Sequence, residues 1–214
     1  MNVMIRLLFV SLFLLPFSVW CQEIPEIKKN NFGIGLVPQY GIIHGTRIDL
    51  DFRLRSPRQW LIAAPQLYLV TKNSSLWNFN EMSGAGIDVQ HRIYLGKNDI
   101  PKGAYFAYGP VFQYFSVKDE GLAAYDFREG DVNYIGLNET TLQTKIYKLG
   151  GNLIFGYQTL LDEVVYFDFY LGTGMRFSFD NRKSGLHSYY NEWWGDLGYS
   201  GTLMVGGFRF GVYF

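Results

Sequence analysis

The segment Thr46–Arg55 limits the possible folds more than any other part of the chain. Ile48, Leu50, Phe52 and Leu54 alternate there with Arg47, Asp49, Asp51, Arg53 and Arg55. A helix of 3.6 residues per turn would mix the two sets, whereas an extended strand gives each its own face. The same division recurs at the end of the sequence. Phe214, Val212, Phe210, Phe208, Gly206 and Met204 share one parity, and Tyr213, Gly211, Arg209 and Gly207 the other. Read in this way, the chain predicts eight strands, over about 31–43, 46–55, 60–70, 83–95, 104–117, 143–158, 164–179 and 198–214. In the first of them Phe32, Ile34, Leu36, Tyr40 and Ile42 share the apolar face. Pro65 weakens the third, because proline cannot donate to a ladder. The stretches 72–82, 118–142 and 181–197 read as long loops. Residues 118–142 read as irregular and acidic, with Asp119, Glu120, Asp126, Glu129 and Asp131.

Glycine decides which face meets which solvent. Gly33, Gly35, Gly41, Gly86, Gly109, Gly150, Gly156, Gly172, Gly174, Gly207 and Gly211 lie on the face of the charged residues. On a water-exposed face they would only weaken a strand; in the crowded interior of a narrow barrel small residues fit. Aromatics make up 18% of the chain, charged residues another 18%, and the aromatic face is too long to leave in water. The expected fold is therefore all-β, an eight-stranded antiparallel up-and-down transmembrane barrel with its apolar face in lipid. At about 10–17 residues each, the strands suffice for a tilted crossing, which needs roughly 9–11. Connections after strands two, four and six are short and those after three, five and seven long, as expected of periplasmic turns and extracellular loops. Lys plus Arg equals Asp plus Glu, 19 each, so no basic surface points to nucleic acid.

Residues 1–21 read as a secretory signal peptide, with Arg6 followed by an apolar run over 7–20. Cleavage after Cys21 leaves Gln22 as the new terminus and removes the sole cysteine. Lipidation of Cys21 is the rival reading, opposed by bulky Trp20. Residues 22–30 form a periplasmic lead-in and 31–214 the barrel.

The signal peptide, the eight alternating segments and the final Gly211-Val212-Tyr213-Phe214 resemble small outer-membrane β-barrel proteins of Gram-negative bacteria. The Tyr/Asn/Gly-rich style is similar to that of Bacteroidetes members. The resemblance implies an integral outer-membrane location and lipid contact. It also implies that Phe208, Phe210 and Phe214 are the signal presented to the barrel-assembly machinery.

The candidate sites follow from the faces. Arg47, Asp49, Asp51, Arg53, Arg55, Asp88, Arg92, Lys148, Asp168, Arg176 and Arg209 are expected inside, where opposite charges satisfy one another and plug the lumen. Trp77, Tyr189, Tyr190, Trp193 and Trp194 are expected in outer loops, as interfacial anchors or a surface for an extracellular ligand of 118–142 and 181–197. Trp60 and Phe214 are expected in the lower aromatic girdle. His187-Ser188 has neither the spacing nor the third group a hydrolase needs. Three histidines, His44, His91 and His187, are too scattered to hold a metal. No catalytic residue, metal or cofactor is expected. The functional expectation is a non-enzymatic structural or surface-interaction protein. A narrow transport barrel for small or hydrophobic solutes and a lipid-modifying hydrolase are the alternatives.

Overall fold

A computed structural model describes residues 31–71, 80–96, 100–181 and 196–214. Residues 1–30, and with them the expected signal peptide and lead-in, lie outside the described residues, as do Trp77, His187, Ser188, Tyr189, Tyr190, Trp193 and Trp194. The strands are β1 (Phe32–Leu36), β2 (Gly45–Arg53), β3 (Gln59–Val70), β4 (Glu81–Tyr94), β5 (Gly103–Glu129), β6 (Val132–Leu161), β7 (Val165–Asn181) and β8 (Gly201–Tyr213). Each pairs antiparallel with its neighbours in sequence, and β1 pairs with β8, so the sheet closes into an eight-stranded barrel. Over Gly33–Leu36 closure removes the open edge that lipid does not tolerate. The two ends of the barrel sequence are zipped together: Asn31 N donates to Phe214 O at 3.1 Å and Phe214 N to Phe32 O at 2.8 Å. These ends and the turns after β2, β4 and β6 define what is called here the lower end.

Alternation sets the two surfaces. Leu153, Phe155, Tyr157, Phe169, Leu171, Phe177 and Phe208 are exposed on the outside, while Asp49, Asp51, Asp88, Arg92, Asp168 and Arg209 are buried inside. From Tyr147 to Tyr157 the apolar face of β6 climbs about 34 Å at about 3.4 Å per residue. At a tilt of about 40° that is roughly 25 Å along the barrel axis, the height of a lipid-facing band. This is the outer surface of a transmembrane barrel. No helix among the described residues is long and apolar enough to cross a membrane; the strands carry the apolar surface.

Two segments depart from expectation. Residues 118–142 are not irregular. β5 and β6 stay paired from Asp119↔Leu142 out to Glu129↔Val132, far past the last partners of β4 (Lys118) and β7 (Lys145). At about 3.4 Å per residue this two-stranded ribbon projects roughly 35 Å beyond the barrel wall. Its tip is the Gly130-Asp131 turn, with Gly130 at φ 65°, a conformation open to glycine. The other departure is the first strand, which ends at Leu36. Pro38 lacks an N–H and fixes its own φ, and a 3-10 helix, Pro38–Ile43, follows. It turns Tyr40 off the lipid face, placing its ring 6.1 Å from that of buried Tyr68.

Trp60 does not join a lower girdle. It is only 1% exposed, its ring lies 5.1 Å from that of Tyr213, and its indole N–H donates to Pro57 O at 3.1 Å. Trp60, Tyr94, Tyr105, Tyr166 and Tyr213, with Ala107 and Ile154, fill the lower lumen. Val70, Met82, Phe115, Val117 and Ile146 form a second cluster near the upper end.

Candidate functional site: the barrel lumen

The register of the closing strands brings the charged side chains together. Arg209 stands opposite Asp168 across β8 and β7, and its Nε bonds the Asp168 carboxylate. Its other nitrogen, Nη1, crosses β1 to reach Asp49 Oδ2 of β2 at 2.7 Å. It can cross because β1 turns only Gly33 and Gly35 inward, opposite Asp51 and Asp49. Those glycines also seat aromatic rings. A Cβ on Gly33 would lie 2.5 Å from the Tyr213 ring, and one on Gly35 would collide with the Tyr166 hydroxyl.

A second arginine completes the lower layer. Arg92 Nη1 lies 3.2 Å from Asp168 Oδ2 and donates to Gln158 Oε1 at 3.0 Å. Its guanidinium stands 4.0 Å from the centroid of the Tyr105 ring, a cation–π contact. Tyr105 Oη donates to Asp168 at 2.8 Å. Gln158 Nε2 donates to Tyr213 Oη, which in turn donates to Asp51 Oδ2 at 3.2 Å. Three carboxylates and two guanidiniums thus share one buried layer, and their pairing makes burial of each tolerable.

Arg47 links this layer to the upper lumen. Its Nε donates to Asp49 Oδ1 at 2.6 Å and its Nη1 to Asp88 Oδ2 at 2.9 Å. The same Asp88 oxygen accepts from Gln90 Nε2 at 2.7 Å and Asn152 Nδ2 at 3.0 Å. Above Asp88 the chemistry changes. Arg176 and Lys148 are buried on the same inner surface, and neither forms an ion pair among the described residues. Beside them lies a cavity of about 360 Å³, with Gln39, Gln113 and Tyr170 in its lining.

Of the eleven charges expected inside, seven (Arg47, Asp49, Asp51, Asp88, Arg92, Asp168 and Arg209) form one connected group. Lys148 and Arg176 are inside but outside that group. Arg53 and Arg55 do not belong to it: β2 ends at Arg53, which is half-buried, and Arg55 is exposed in the lower turn. Arg53 keeps its inward parity opposite buried Trp60, whereas the alternation of 46–55 runs on past the end of the strand and misplaces Arg55. Phe208, Phe210 and Phe214 all have outward parity, with Phe208 and Phe214 exposed.

Sequence reasoning missed the neutral half of the network. Tyr105, Tyr166, Tyr213, Gln90, Asn152 and Gln158 bind or cover the charges, and a signal was available. Tyr166 and Tyr213 share the inward parity of Asp168 and Arg209. The hydrolase alternative gains no support from the described histidines. His91 faces outward against Tyr108 Oη at 2.9 Å, and His44 caps the 3-10 helix. Among the described residues, no group of three or more His, Cys, Asp or Glu could hold a metal ion.

The chain is similar to solved crystal structures of Acinetobacter baumannii CarO and CarO2, with TM-scores of 0.44 and 0.43 and 12% and 11% identity. Each match covers 86% of this chain and 98% of the other. No protein-family model and no curated protein matches the sequence.

Proposed function

We propose that the protein is an integral barrel of a bacterial outer membrane whose lumen is closed to conduction. Its work is done at the cell surface, through the projecting β5–β6 ribbon, and is not enzymatic. The observation that carries this reading is the lower lumen, where Asp49, Asp51, Arg92, Asp168 and Arg209 interlock just above packed aromatic rings. Aqueous channels need about 16 strands, and an eight-stranded lumen is filled by side chains. The ribbon supplies the other half of the argument. Val132, Ile135 and Leu137 are exposed on it, beyond the span of the barrel wall, where apolar side chains favour recognition of a partner. The resemblance to outer-membrane barrels, with Phe208, Phe210 and Phe214 read by the assembly machinery, supports the location.

Planar-bilayer recording tests the closed lumen: the expected trace shows no large steady conductance, and a stable open level overturns the reading. Surface placement is tested by putting a cysteine at Asn133 in intact cells. A membrane-impermeant maleimide should label it without lysis. Labelling only after lysis would place the ribbon on the periplasmic side and refute the surface role.

A further inference from the structure

The barrel wall has a seam. β1 pairs with β8 only from Gly33↔Tyr213 to Leu36↔Phe210, although β8 runs on to Gly201 with β7 alone beside it. β2 pairs with β1 only over Ile48–Phe52. The upper seam is occupied by the 3-10 helix Pro38–Ile43, which packs between β2 and β8. In an antiparallel ladder alternate residues turn N–H and C=O to the far side. Among the described residues no backbone group of 202–208 is hydrogen-bonded across the seam. A bare edge is not tolerated in lipid unless it borders a cavity, and here it does. The cavity of about 360 Å³ is lined at the seam by Ile43, Leu203, Met204 and Val205, and deeper in by Lys148 and Arg176. Its size is that of a small-molecule site, about 300–1,000 Å³.

Neither cation has an ion-pair partner among the described residues. Lys148 is 8% exposed and makes no ion pair or hydrogen bond among the described residues. Arg176 is 6% exposed and donates only to neutral oxygens: Asn152 Oδ1 at 2.7 Å, Gly151 O at 3.0 Å and Met175 O at 3.1 Å. They are near neighbours on one face, since Arg176 stands opposite Gly150, two residues from Lys148. Gly174 leaves Arg176 its room; a Cβ there would lie 2.7 Å from Nη1. Asp88 also lines the cavity and attracts Arg176 without forming an ion pair; its Oδ2 is taken by Arg47, Gln90 and Asn152, and its Oδ1 accepts no hydrogen bond among the described residues. Asp196 attracts Lys148 without forming an ion pair. Two buried like charges with no ion pair of their own are costly, and an anion between them offsets that cost.

We infer that this cavity takes the anionic head of a single-chain amphiphile of the fatty-acid class, entering from the bilayer through the seam. The carboxylate lies against Arg176 and Lys148, and the chain follows Ile43, Leu203 and Met204 toward lipid. The inference goes beyond the proposed function and stands apart from it: a conducting barrel would refute that reading and leave this site intact.

Native mass spectrometry of the full barrel released from dodecylmaltoside micelles tests it, with oleate, oleyl alcohol and dioleoylphosphatidylglycerol as probes. One oleate should be retained per barrel, and oleyl alcohol at least tenfold less. No retained oleate, or equal retention of the alcohol, overturns the site. Preference for phosphatidylglycerol overturns the single-chain assignment. These arms use the unaltered protein and do not depend on any variant folding. The pair Lys148→Met with Arg176→Gln, checked for folding by heat-modifiable gel mobility, should lose oleate at least tenfold, and Arg176→Lys should keep most of it. Unchanged retention in the folded pair refutes the role of these cations.

Discussion

The two halves of the lumen are built from the same residue types on the same strand faces, yet they solve the burial of charge in opposite ways. Below, Arg92 and Arg209 lie among Asp49, Asp51 and Asp168, with the hydroxyls of Tyr105 and Tyr213 donating to Asp168 and Asp51. Above, Arg176 and Lys148 adjoin a cavity and face amides and backbone carbonyls. What differs is the cross-strand register. Asp168 falls directly opposite Arg209, whereas Arg176 falls opposite Gly150 and Gly201. The lower layer is tied together by ion pairs, and the upper layer holds two cations without one among the described residues. Arg47, bonded to both Asp49 and Asp88, is the hinge between the two.

Removing one lower partner should therefore have the largest effect. Arg209→Met leaves Asp49 and Asp168 short of a cation, and breaking a buried pair typically costs about 3–5 kcal/mol. Urea titration in micelles, followed by heat-modifiable gel mobility, should show that loss. A change below about 1 kcal/mol would mean that the lower layer is no more coupled than the upper.

A second contrast separates lipid from water. Leu171 on the barrel wall is 60% exposed and Ile135 on the ribbon 74%, so exposure alone ranks them alike. Leu171→Lys places a charge in the lipid-facing band and should destabilise by about 2–4 kcal/mol. Ile135→Lys sits beyond the wall and should stay within about 0.5 kcal/mol. Equal penalties in the same titration would put the ribbon in the membrane.

Next in size is Gly35→Ala. A Cβ there meets the Tyr166 hydroxyl, and overpacking of this kind costs about 1–3 kcal/mol. The penalty should shrink in a Tyr166→Phe background, which removes the colliding oxygen. If it does not shrink, Gly35 is required for some reason other than seating that ring.

These contrasts also show what was legible in the sequence. Face assignment followed from parity, because one face of each strand meets lipid and the other a lumen of charges and glycines. Leu67, Phe112, Leu149 and Phe177 all lie where alternation puts them. The ribbon was illegible for the same reason. The described side chains of 119–142 are mostly exposed on both faces of the ribbon, so no apolar alternation survives, and its regularity shows in pairs such as Phe127–Tyr134, with ring centroids 5.3 Å apart. Tyr40 and Trp60 were misplaced because aromatic character suits both an interface and a packed lumen. Only the break at Pro38 and the register with Tyr68 and Tyr213 decide between them. The seam was beyond reach, since it depends on β1 being five residues long beside a β8 of thirteen.

The smallest expected effect is the one that most sharpens the contrast between the halves. Lys148→Met removes a buried cation, as Arg209→Met does, but no carboxylate is left stranded by it. In amphiphile-free micelles the variant also relieves repulsion with Arg176, two residues away across the β6–β7 ladder. Cross-strand charge pairs are worth about 0.2–1 kcal/mol, so stability should be unchanged or should rise by up to that amount. Added oleate should then reverse the order, stabilising the unaltered protein more than the variant, because a ligand bound to the folded state raises stability by mass action. A variant that loses several kcal/mol without oleate would show that Lys148 is already paired, and the upper lumen would have to be read as a second closed network.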